Sequence, residues 1–213
     1  MGKYVLNPDP YSMHTKIIQF INKSGRVLDV GCAEGYLSEK CYQNDCEVVG
    51  IEIDPENVEK AEEYCKEVIN GDISVIELPD KYRNYFDYII FADILEHIKN
   101  PLQVLLKFKE YLKDDGHILV SLPNISNWRV RLKILSGNFE YEDKGLLDVG
   151  HLRFFNEKSA KNLLLKSGFE ICTVDVTVGD IKLFPKFFHF IGTLWPNLLA
   201  YQFLLIAKKN ETP

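Results

Sequence analysis

The sequence has no run of about twenty apolar residues, so no segment reads as a helix that spans a bilayer. Its opening, MGKYVLNPDPYSMH, lacks the apolar core of a secretory leader. The five cysteines (Cys32, Cys41, Cys46, Cys65 and Cys172) are odd in number and form no Cys-x-x-Cys pair, which removes both a disulfide framework and a thiolate zinc site. Reduced thiols and a cytoplasmic setting are therefore expected. Basic residues are in the minority, 25 against 31 acidic, and the formal charge of -6 argues against nucleic acid as a partner. There is no internal repeat and no low-complexity tract. What is present is an ordinary globular composition, 46% hydrophobic and 26% charged, over 213 residues, enough for one domain with a packed core.

Apolar positions at near-helical spacing predict a leading helix over about 10–24. Short β-rich runs then alternate with amphipathic stretches: RVLDV (26–30), a helix from about Gly35, EVVGIEI (47–53), a helix from about Pro55, EVIN (67–70) and FDYIIF (86–91). A helix from Pro101 to about Lys113 and a strand HILVSL (117–122) follow. The strands are almost continuously apolar, as parallel strands covered on both faces are. Residues 123–150 interrupt the rhythm with a short basic helix and an acidic turn, and read as an insertion on the acceptor side of a site. A helix at 157–167, a strand FEICTVDVTV, an aromatic segment at 183–196 and a last strand AYQFLLIAKK complete the chain.

The stretch VLDVGCAEGYLS ends a buried strand at Asp29, turns through Gly31 and Gly35, and opens a helix, which is where open parallel sheets bind nucleotides. A dinucleotide fingerprint needs a middle glycine that is absent here, and Asp29 and Glu34 would repel a pyrophosphate. A nucleoside with a cationic centre and no phosphate fits better. Glu52 ends the second strand, where an acid can accept two ribose hydroxyls. Asp72 follows the third strand, placed to accept an adenine amino group while Ile73 packs on the ring, and Ala92 and Asp93 end the fourth.

The runs VLDVGCAEG, VVGIEID, GDI and FDYIIFADILEHIKNP resemble the successive motifs of class I S-adenosylmethionine-dependent methyltransferases, over nearly the whole chain. DILEHIKNP, the stretch from HILVSLPNISNW to GHLRFF and the closing PNLLAYQFLLIAKK are similar to methyltransferases of sugar and polysaccharide modification, and SLPNISNWRVRL to a methyltransferase-like protein of methionine biosynthesis. The resemblance implies an α/β fold, a Rossmann-like three-layer sandwich whose seven-stranded, mostly parallel sheet has an antiparallel last strand at about 200–208. It implies S-adenosylmethionine as cofactor and S-adenosylhomocysteine as product. Contacts carry over to Asp29, Gly31, Glu34, Gly35, Glu52, Asp72 and Asp93, with backbone or apolar contacts from Cys32, Tyr36, Ile53, Ile73 and Ala92. Ala33 departs from the glycine common in relatives, and is expected at negative φ.

Methyl transfer mainly needs alignment, and an alcohol acceptor gains from a general base. His151 is the first candidate and His97 the second, with anchoring of the insertion by His151 and Arg153, and capping by His97, as the competing explanations. Arg129, Arg131 and Lys133 beside Trp128 and Asn124 suit a sugar or an anionic acceptor. His14, His117 and His189 have no companion at metal-ligand spacing, so no metal is expected. In 183–196, Phe184, Phe187, Phe188, Ile191, Leu194 and Trp195 form one helical stripe, covered by the protein's own sheet, by a second copy in a homodimer, or by a membrane or polyprenyl-linked acceptor. The expectation is O-methylation of a sugar, glycan precursor or other small molecule. The rivals are a non-catalytic donor-binding module that regulates a partner, and a nicotinamide-dependent oxidoreductase. N- or C-methylation is disfavoured because the loop reads ADILEH, without an Asn/Asp-Pro-Pro-aromatic run.

Overall fold

The computed structural model describes residues 11–21, 24–179 and 185–210. The elements are α1 (Met13–Phe20), β1 (Arg26–Val30), α2 (Tyr36–Gln43), β2 (Glu47–Glu52), α3 (Pro55–Ala61), β3 (Glu67–Asn70), β4 (Phe86–Ala92), α4 (Pro101–Phe108), β5 (Leu112–Pro123), α5 (Trp128–Leu135), α6 (Glu157–Lys166), β6 (Phe169–Thr177), α7 (Pro185–Leu194), α8 (Pro196–Leu199) and β7 (Gln202–Lys209). The strands form one seven-stranded sheet in the order β3-β2-β1-β4-β5-β7-β6. Only β7 is antiparallel, and it lies between β5 and β6. The expected architecture is therefore present.

Alternation along the central strands explains the two covered faces. Leu28 and Val30 of β1, with Phe91 of β4, point into a large core with Phe86, Phe108, Leu122 and Phe203. Val27 and Ile90 point the other way, against Ile17 and Ile21 near α1 and Leu37 of α2. Side chains of successive residues leave opposite faces of a strand, so an apolar run is what a doubly covered sheet requires. Lys16 on α1 is buried and pairs with Asp175 of β6 at 2.6 Å, which ties the first helix to the far edge of the sheet. Burial pulls the Lys16 ammonium below its usual range, and the Asp175 carboxylate partly restores it.

Three boundaries differ from expectation. Helix α4 stops at Phe108 instead of Lys113, because the Tyr111 carbonyl accepts from the backbone N–H groups of Tyr85 and Phe86 and Leu112 already pairs with Phe86. Asp114–Gly116 then sits in a register shift within β5 and does not end a helix. The last strand begins at Gln202, since residues 196–199 form the short helix α8. The expected leading helix is observed over Met13–Phe20, and Pro10 and residues 22–23 lie outside the described residues.

Residues 183–184 also lie outside the described residues, so Phe184 of the aromatic stripe is not placed. The rest divides. Phe188 and Ile191 are half-buried, whereas Phe187, Phe190, Leu194 and Trp195 are exposed. Among the described residues no helix is long and apolar enough to cross a membrane.

Candidate active site

Two cavities open at the carboxyl ends of the strands, and they meet at His14 and Asp93. The smaller, about 180 Å³, is walled by Asp29, Gly31, Cys32 and Tyr36 from the first loop and by Ala92 and Asp93 from the end of β4. The loop bends because the N–H groups of Gly31 and Cys32 both donate to the Ile51 carbonyl, at 2.8 and 3.0 Å. Gly31 has φ +75°, and a side chain there would also meet Ile94 Cδ1 at 2.8 Å. Gly35, at φ +85°, caps α2. Ala33 is at φ +48°, contrary to the negative value expected, and the conformation is held by its N–H donating to Glu52 Oε2 at 2.9 Å.

The electrostatics of this cavity are one-sided. Asp29 is buried and accepts from Ser38 Oγ at 2.8 Å; burial pushes its carboxyl up to about 6, with Glu52 adding to the rise and Ser38 opposing it. Asp93 is likewise raised by burial, against hydrogen bonds from Ser121 Oγ and Gln202 Nε2 and the fields of His14 and His151. Among the described residues no Lys or Arg lines the cavity. A diphosphate would face two carboxylates, while a cationic ligand relieves both. The residues present thus fit a sulfonium- and ammonium-bearing ligand.

The remaining donor-side candidates lie around the rim. Both oxygens of Glu52 accept backbone N–H groups, Oε2 from Ala33 and Oε1 from Ile53 and Asp54. Ile53 is exposed, Asp72 is exposed and accepts from the Ser74 N–H, and Ile73 turns into the main core. Glu34 pairs with Lys60 at 2.6 Å and accepts from the Tyr36 hydroxyl. His14, Leu37 and Ile94 complete the cavity without having been singled out from sequence; no motif marks His14, which arrives on the leading helix.

The larger cavity, about 470 Å³, lies between the strand ends and the 123–150 insertion. Arg129, Lys144 and Asp148 come from the insertion, Glu96, His97 and His151 from the segments it packs on, and Thr177, Tyr201 and Gln202 from the sheet side. The turn Leu95–His97 and the end of the insertion are clamped together. The Glu96 carbonyl accepts from the N–H groups of Leu152 and Arg153 at 2.8 and 2.9 Å, and His97 Nδ1 donates to the Gly150 carbonyl at 2.9 Å. Arg153 anchors the segment through two bonds to the Lys99 carbonyl, and the His151 ring meets the Leu146 backbone of the insertion.

The rings of His97 and His151 stand 4.9 Å apart. Burial lowers the His151 imidazole below its ordinary value, His97 lowers it further, and Asp148, the Leu146 backbone and Asp93 oppose. Glu96, which sequence reasoning passed over although it precedes His97 in LEHI, is almost fully buried. Burial holds its carboxyl well above the usual range, helped by Asp93 and Asp148. Of the basic residues proposed for acceptor contact, only Arg129 reaches the cavity: Arg131 bonds the Ser126 carbonyl, and Lys133 pairs with Glu142. Asn124 is buried, donating to the Ala200 carbonyl at 2.8 Å, and Trp128 is partly exposed beneath the Arg129 guanidinium.

The methyltransferase-domain family matches residues 10–174. Curated relatives include a ubiquinone biosynthesis O-methyltransferase of Dechloromonas aromatica, 35% identical over 51% of this chain and 49% of that protein, and an uncharacterised methyltransferase of Schizosaccharomyces pombe, 31% identical over 51% and 44%. The chain spans about half the length of the curated relatives it matches. Among solved structures, magnesium protoporphyrin IX methyltransferase of Synechocystis PCC 6803 with bound S-adenosylhomocysteine superposes with a TM-score of 0.67, at 16% identity over 98% of this chain and 90% of that one. The PH0226 protein of Pyrococcus horikoshii gives 0.65, at 21% identity over 94% and 89%. With the glycine loop, the carboxylate-lined cavity and the sheet order in agreement, the chain belongs to the methyltransferase-domain family.

Proposed function

We propose that this protein transfers a methyl group from S-adenosylmethionine to a hydroxyl of a sugar, glycan precursor or comparable small molecule. The observation that carries the reading is the junction of the two cavities at Asp93 and His14, which sets a carboxylate-lined donor site against a larger polar chamber. The relatives named as O-methyltransferases support oxygen as the accepting atom. When bound, the donor supplies a methyl on a sulfonium sulfur; the C–S bond breaks as the acceptor C–O bond forms, leaving S-adenosylhomocysteine.

The chain's residues do the rest. Asp29 and Asp93 face the cationic end, Glu52 receives the ribose hydroxyls on its remaining lone pairs, and Asp72 and Ile53 meet the adenine at the rim. Ile73, placed in the core, serves through its backbone and not by stacking. In the chamber, Arg129, Lys144 and Gln202 offer donors to a hydroxyl-rich acceptor, and the Tyr201 ring replaces Trp128 as the aromatic wall. His151 takes the hydroxyl proton; its lowered pKa keeps it neutral and able to accept at pH 7. His97 stands beside it. The exposed Phe187, Phe190, Leu194 and Trp195 support a second copy as their cover, with vesicle co-sedimentation testing the bilayer instead.

Isothermal titration with the donor and its demethylated product tests the first half, and the reading ends if neither binds. His151→Gln is expected to lower kcat by about 10²-fold or more while leaving donor affinity intact. Unchanged turnover on an acceptor identified from a hydroxylated panel removes the assignment. Donor binding without turnover on any acceptor, with altered activity of a partner, would favour the regulatory module.

A further inference from the structure

We propose that Glu96, His97 and His151 form a binding site for one divalent first-row transition-metal ion, opening onto the larger cavity. The ligand-capable atoms of the three side chains lie within 4.8 Å of one another. Bonds of about 2.1 Å place the ligands of one ion roughly 3–4 Å apart, so small rotamer shifts close the set.

Two residues of this cluster each bury a polar atom without a hydrogen-bond partner. One oxygen of Glu96 and Nδ1 of His151 have no hydrogen-bond partner among the described residues, and Glu96 is only 1% exposed. Burying a carboxylate oxygen or an imidazole nitrogen unsatisfied is costly, and such groups call for an explanation. The two do not bond each other, so the pair does not satisfy itself.

The surroundings complete the case. His97 donates through Nδ1 to the Gly150 carbonyl, which fixes the tautomer and leaves Nε2 with its lone pair, the usual outer support of a metal-binding histidine. The backbone bonds from Leu152 and Arg153 to the Glu96 carbonyl hold both ligand-bearing segments in place. Asp93 and Asp148 add negative charge at the cavity wall. Two imidazoles and one carboxylate suit Zn²⁺, Co²⁺, Mn²⁺ or Fe²⁺ better than Ca²⁺ or Mg²⁺, and they leave coordination positions for water or an acceptor oxygen. This revises the expectation that no metal is bound, which weighed the other histidines and never Glu96.

For the proposed methylation, on which only this consequence rests, an ion here would lower the pKa of a ligated hydroxyl so that its proton leaves to solvent water, with His151 serving as a ligand in place of the proton acceptor. The site itself is tested without turnover. The full chain, stripped with chelator and dialysed, is titrated with Co²⁺ and with Zn²⁺ by calorimetry and visible absorption, beside Glu96→Gln and His151→Gln. One equivalent per chain is expected, at least about tenfold weaker in each variant, with S-adenosylhomocysteine binding retained as the control for folding. No saturable binding, or equal affinity in the variants, overturns the proposal. Should a variant fail to fold, Mn²⁺ line broadening in the unaltered protein decides: the His97 and His151 ring resonances broaden while His117 stays sharp, and equal broadening of His117 overturns it.

Discussion

Ala33 carries a left-handed backbone that glycine adopts without strain, at a loop whose neighbours Gly31 and Gly35 are glycine already. Ala33→Gly is expected to raise stability by about 0.5–1 kcal/mol, because relief of the left-handed strain outweighs the added freedom of the unfolded chain. Urea denaturation of the two proteins measures it, and a loss of stability would contradict the account. Asp29 yields a pH dependence. Its folded pKa, about 6, stands above the value of about 3.9 in an unfolded chain, so its relative contribution to stability is complete below the unfolded value and lost as pH rises through about 6. Donor binding runs the other way: the carboxylate that attracts a cation is present above that range, and donor affinity should fall as pH drops through about 6. Calorimetry across that range checks this, and Asp29→Asn should flatten the dependence. Loop glycines and strand-end acids were legible in the sequence because each occupies a position fixed by chain order. Glu96 was not, since its burial depends on contacts with residues more than fifty positions later.

At the scale of elements, buried amides fasten the start of the insertion, as Arg153 anchors the segment that follows its end. Asn124 donates to the carbonyls of Pro196, Asn197 and Ala200, and Asn127, which caps α5, donates to Ala200 at 2.8 Å. Asn124→Ala removes one donor from each of these carbonyls, of which Ala200 keeps Asn127 and Pro196 keeps the Ala200 N–H, and should cost about 1–3 kcal/mol by chemical denaturation. A cost below about 0.5 kcal/mol would show that solvent reaches them. The helices and strands of the first 110 residues were readable because apolar periodicity, prolines and glycines agree there. Agreement failed at Asp114–Gly116, where turn-forming residues lie inside a strand, and at α8, where a single turn of helix follows a proline in an otherwise strand-like run. Strand pairing overrode local preference at Asp114–Gly116.

Across the molecule, stability is unevenly distributed. The sheet holds two extensive apolar layers, while the insertion owns only the small cluster of Val130, Leu146 and Leu147. Amide hydrogens of α5 and residues 136–150 should therefore exchange through local opening, well before those of β1, β4 and β5. Exchange followed by mass spectrometry checks this, and protection equal to the sheet's would refute it. Product binding in the smaller cavity should slow exchange at residues 29–37 more than in the insertion.

The place of β7 has a consequence for synthesis. A polypeptide halted near residue 200 would already contain β5 and β6 but lack the strand that bonds to both, so two ladders of amide and carbonyl groups would stand bare at once. Until β7 leaves the ribosome the nascent sheet is at its stickiest, and its pairing with β5 and β6 is the event that seals the sheet.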